Sequence, residues 1–106
     1  MSARVHSISA WSPPYRIASV PSPVWRIALR VDGRSYVFQF MFTNGKINIG
    51  SIFRANHIKL KSSGETYHYL RHAAMMMLRE ATEAQVAAIA LQAQMDDFDR
   101  RHPEEA

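Results

Sequence analysis

Two dipeptides, Asp32-Gly33 and Asn44-Gly45, constrain this chain more than any other feature of it. Both tolerate positive φ at the two central positions of a tight turn, and each lies between residues favoured in strands. Val24 to Gly50 therefore reads as two consecutive β-hairpins. Two-residue loops set the pairing by counting. Val31 faces Arg34, Leu29 faces Tyr36, Ile27 faces Phe38 and Trp25 faces Phe40; after the second turn Phe42 faces Ile47 and Phe40 faces Ile49. Alternation then sorts the side chains. One face holds Trp25, Ile27, Leu29, Tyr36, Phe38, Phe40, Phe42, Ile47 and Ile49, the expected core. The other holds Arg26, Ala28, Arg30, Ser35, Val37, Gln39, Met41, Lys46 and Asn48, a mixed basic surface suited to solvent or a partner.

A length of 106 residues with 47% apolar side chains fits a single domain with one core, 1–106. The opening residues MSARVHSISAWSPP contain no continuous apolar stretch, and runs such as Ala73 to Leu78 are too short to cross a bilayer. With no cysteine there is no disulfide framework, thiolate metal site or thiol nucleophile, which suits a reducing compartment; a soluble, cytoplasmic protein is expected, with no membrane partner. The net charge of +4 conceals a polarity. Residues 1 to 61 carry nine cations against Asp32 alone, a net +8, and residues 62 to 106 carry four cations against eight carboxylates, a net −4. A concentrated positive field on the β half attracts polyanions; it also complements the protein's own acidic half.

Residues 1 to 23 are rich in serine and proline, and proline removes a ladder donor, so an irregular arm is expected. Short edge strands fit Val5 to Ala10 and Tyr15 to Val20, with Trp11 and Tyr15 pinning the arm to the body. The sheet region is 24 to 61. Within it Ser51 to Asn56 either prolongs the third strand or forms a turn of helix. His57 to Lys61 alternates at period two and reads as a further strand burying Ile58 and Leu60. Ser62 and Glu65 have capping-box spacing at the start of a helical region, 62 to 101, followed by a tail, 102 to 106. In that region Leu70, Ala74, Met77, Ala81, Ala84, Ala88, Leu91, Met95 and Phe98 recur at alternating fours and threes, a heptad seam, and a second apolar line runs through Met75, Val86, Ile89 and Ala93. An unbroken helix would be about 54 Å long, twice what an eight-residue strand of about 27 Å can cover. Either its overhang meets the same helix of a second copy, a homodimer, or it breaks near Glu80 to Glu83. Thr82-x-x-Gln85 is a capping box that favours the break; the absence of Gly and Pro there favours continuity. The fold class is α+β: an antiparallel meander of roughly three to five strands against one long or two shorter C-terminal helices.

No catalytic motif is present: no G-x-S-x-G, no phosphate-cradling or dinucleotide-binding glycine loop. A non-enzymatic role without cofactor is expected. His68 and His72 have the i, i+4 spacing of a metal pair, but the nearby candidates for further ligands, Glu65 and His57, have no geometry fixed by the sequence, so the pair reads as surface histidines and no metal is expected. Met75 to Met77 reads as core and seam. The stretch His57 to His72 leads two strand lysines into a helix N-terminus, whose unpaired N–H groups attract phosphate. With the polar sheet face it defines a track for a nucleic-acid backbone: Arg26, Arg30, Lys46, Arg54, Lys59, Lys61 and Arg71. A single strand is preferred, because duplex readers present a helix or ribbon to a groove. The alternative is an inhibitor or adaptor docking the same basic face on an acidic protein surface.

Strands followed by a helix, with a basic sheet, resemble the plan of single-strand binders of the PC4 and Whirly type over roughly Val24 to Arg101. The small, cysteine-free, motif-poor design is also similar in style to phage-encoded inhibitors of the anti-CRISPR kind. That likeness implies a nucleoprotein defence complex, or the strand it exposes, as target.

Overall fold

The computed structural model describes residues 8–10, 12–19 and 21–101. Both predicted turns form with positive φ at each central residue: 51° and 83° at Asp32 and Gly33, 53° and 78° at Asn44 and Gly45. They join β3 (Val24–Val31), β4 (Arg34–Thr43) and β5 (Lys46–Arg54) into an antiparallel meander. All six pairings obtained by counting are present. Two short strands, β1 (Ile8–Ala10) and β2 (Tyr15–Ala18), lie end to end along the outer edge of β3, β1 beside Leu29 to Val31 and β2 beside Val24 to Arg26. The sheet is thus four strands wide and open. Val5, Trp11 and Val20, which belonged to the expected arm, fall outside the described residues. Tyr15 does not pin the arm down: it is 44% exposed, and Pro14 is the buried residue there.

One irregularity redirects the end of β5. Phe40 pairs with Ile49 but Gln39 pairs with Ser51, leaving Gly50 as an extra residue in the strand. A bulge reverses the alternation beyond it. Ile52 therefore enters the core, fully buried, and Phe53 turns to the opposite face. Of the two readings of Ser51 to Asn56, the strand is realised as far as Arg54.

The expected further strand over His57 to Lys61 does not form. His57 takes a left-handed backbone with φ of 70°. The Asn56 side chain accepts from the Ile58 N–H at 3.2 Å, so the chain turns back at once. Only Phe53 and Lys59 form a bridge. Leu60 is buried as expected, with its N–H donating to the Ile52 carbonyl at 2.9 Å, but Ile58 is 58% exposed.

Two helices follow, α1 (Glu65–Leu78) and α2 (Glu83–Arg101). Ser62 does not cap α1. A turn closed by the Gly64 N–H on the Lys61 carbonyl (3.0 Å) makes Gly64 the N-cap, with no side-chain cap bond. The unbroken helix is excluded and the alternative holds. Thr82 Oγ1 accepts from the Gln85 N–H at 3.2 Å, and Gln85 Oε1 accepts from the Thr82 N–H at 3.0 Å, a reciprocal capping box that starts α2 afresh. Both helices lie on the Trp25–Phe38–Phe40 face, where Tyr67, Leu70, Ala74, Val86 and Ala90 join the core. The seam divides at the break. Leu70 and Ala74 are buried, Met77 and the later seam positions Ala84, Ala88, Leu91, Met95 and Phe98 are exposed, and α2 packs instead through Val86 and Ala90.

The free edge of β5 is closed by side chains of α1. Tyr67 donates its hydroxyl to the Gly50 carbonyl at 2.6 Å; Arg71 donates Nε to the Ile49 carbonyl and a terminal N–H to Asn48 Oδ1, both at 3.0 Å. Satisfying edge carbonyls in this way removes a template for strand addition. Among the described residues, no helix is long and apolar enough to cross a membrane.

Candidate nucleic-acid interface

The face of the sheet turned away from both helices has no second layer among the described residues, and the register lays out its surface row by row. Arg30 stands beside Ser35; next come Ala28, Val37, Phe53 and Lys59; then Tyr15, Arg26, Gln39 and Ser51; then Met41 and Asn48; and at the far turn Thr43 and Lys46. Four cations occupy this face, and no carboxylate holds a register position on it among the described residues.

Phe53 is the centre of the arrangement. The Arg26 guanidinium carbon lies 4.7 Å from its ring centroid, within cation–π range, and Arg26 Nε donates to Gln39 Oε1 at 3.0 Å. Stem and fork are thus held flat on the sheet, with part of the guanidinium open to an acceptor from outside. Lys59, exposed, stands directly across from Phe53 through the bridge. The guanidinium laid over the Phe53 ring offers a base a planar cationic stacking surface, and Lys59 offers its flanking phosphate a charge.

Of the residues expected from sequence, the fold groups Arg26, Arg30 and Lys59. Arg54 and Lys61 are exposed at the same end, Arg54 at a core-face position opposite Tyr36 and Lys61 in the turn before α1. Lys46 shares the face but lies seven residues from Phe53 along β5, about 20 Å at strand spacing. Arg71 stands at the edge of the face, its guanidinium donating to the Ile49 carbonyl and to Asn48 Oδ1. The helix-start constellation is likewise dispersed. Tyr67 points to Gly50, and Tyr69 donates to Asp32 Oδ2 at 2.6 Å, a bond that holds the phenol pKa above its usual value. Of Tyr67, His68, Tyr69, Arg71 and His72, the two histidines are the exposed members. Among the described residues no three His, Cys, Asp or Glu side chains come together as a metal site.

Sequence reading missed Phe53 and Tyr15 on this face. The signal for Phe53 was Gly50 inside a strand, a common mark of a bulge. Tyr15 had no signal, because the pairing of β2 depends on the path of the arm. No protein-family model, curated protein or solved structure matches the chain, so the chemistry of the face rests on its own geometry.

Proposed function

We propose that this protein binds single-stranded nucleic acid across the open face of its sheet and acts by covering the strand. The observation that carries this reading is the pairing of Phe53 with Arg26 and Lys59 on a face that holds no carboxylate among the described residues. Phosphates are met by the cations, and an unstacked base finds the Arg26–Phe53 stack. The face is broad and open, so it follows a flexible strand better than it fits a groove. Such a protein needs no catalytic group; it inhibits whatever machine must reach the same strand. A cysteine-free chain suits that work in a reducing compartment, the cytoplasm.

The test is fluorescence anisotropy of labelled single-stranded DNA, RNA and duplex DNA over a salt series. Single strands bind best, and three neutralised phosphates give a log–log salt slope of about −2. Absence of binding to all three at low salt overturns the proposal and leaves the face as a docking surface for an acidic protein.

A further inference from the structure

We propose that the exposed stripe of α2 is an interface for a second copy of this chain, packed antiparallel. The helix is apolar on two opposite sides. Val86 and Ala90 are buried against the body, whereas Leu91, Met95 and Phe98 are 57%, 53% and 54% exposed, and Ala84 and Ala88 are exposed beside them. At 3.6 residues per turn the two sets lie about 150° apart. The exposed set recurs at fours and threes, the spacing by which two helices interlock over successive turns.

The order of sizes along the stripe identifies the occupant. Small residues, Ala84 and Ala88, come first; large ones, Leu91, Met95 and Phe98, follow. A parallel copy would stack Phe98 on Phe98 and Ala84 on Ala84, wedging the helices apart at one end. An antiparallel copy sets Leu91 against the partner's Ala88 and Met95 against the partner's Ala84. Phe98 then passes the partner's first turn to reach the break between its helices. Large meets small in every layer, and the match is reciprocal about a two-fold axis between residues 88 and 91, as an isologous contact requires. The helix dipoles oppose one another, and of the flanking residues Ala87, Gln92 and Gln94 carry no charge, with Asp99 the acidic residue at the end of the stripe. An unrelated partner has no reason to repeat this gradient in reverse.

The paired segment, about 14 residues and 21 Å long, makes a small interface, on the order of 1,000 Å² in total. Association is therefore reversible, in the micromolar range. The inference stands independently of nucleic-acid binding.

Sedimentation of the full chain from low to several hundred micromolar tests it. The mass is expected to rise from 12.1 kDa toward twice that value. Leu91→Glu weakens association more than about tenfold, a loss of about 1.4 kcal/mol, with an unchanged thermal melt because Leu91 is exposed. The chain has no native cysteine, so orientation is read by cross-linking. Ala84→Cys mixed with Met95→Cys forms a disulfide-linked pair, and Ala84→Cys alone does not. A 12.1 kDa species at every concentration, a dimer indifferent to Leu91→Glu, or self-linked Ala84→Cys each overturns the proposal.

Discussion

Phe38 and Phe53 are both phenylalanines of the meander, and their different surroundings give them different work. Phe38 is wholly buried between β3 and β5. Phe38→Ala is expected to cost about 3 to 5 kcal/mol, the range for emptying an aromatic site in a core, measured by denaturant unfolding. Phe53→Ala removes a partly exposed ring and costs far less stability. It weakens single-strand binding by about 1 to 3 kcal/mol if a base stacks there; unchanged affinity in an anisotropy titration would remove Phe53 from the interface. Tyr69 reports on the clasp between α1 and the first turn. Its hydrogen bond to Asp32 raises the folded-state phenol pKa above the unfolded value of 10.0. The native state then holds the proton longer than the unfolded one, so the clasp's contribution is complete below pH 10 and declines as pH rises through the folded-state pKa. Tyr69→Phe is expected to flatten that alkaline decline in a series of melts, and phenolate absorbance titration should lose a group that titrates above the usual phenol value.

The elements are stabilised unequally. The hairpins combine pre-set turns with aromatic contacts along one face of β4, such as Phe40 edge-on to Phe42 at 5.9 Å. α2 begins on a capping box and buries only two residues, so its start depends heavily on local hydrogen bonds. Thr82→Ala is expected to destabilise the protein by about 1 kcal/mol, with faster amide exchange concentrated in the first turns of α2. Equal loss of protection across the sheet would mean the cap matters globally. Element type and hairpin register were legible because turn chemistry and period two are local properties. The bulge at Gly50 and the aborted strand at His57 were not, because each depends on what the next segment of chain must reach.

As a whole the molecule measures 54 × 31 × 25 Å, with a radius of gyration of 15.1 Å. A compact chain of this length has about 13 Å, and the difference fits α2, about 28 Å long at helical rise, reaching beyond the sheet. Charge is likewise unevenly placed. Lys59 and Lys61 are exposed at one end of the open face, so replacing both with Ala is expected to weaken strand binding and lower its salt dependence while the melt is unchanged. A collapsed melt would show that they support the fold instead. The sequence by itself determined the meander, its register as far as Ile49, the aromatic core face and the capping box at Thr82, because each follows from contacts a few residues apart. Only the tertiary structure decided that the helical region breaks, that Arg71 and Tyr67 seal the β5 edge, that Phe53 joins Arg26 and Lys59, and that the α2 seam faces outward. Those outcomes depend on how much apolar surface one sheet can cover. A helical region of this length offers more than that sheet can bury, and the remainder is left for solvent or a second copy.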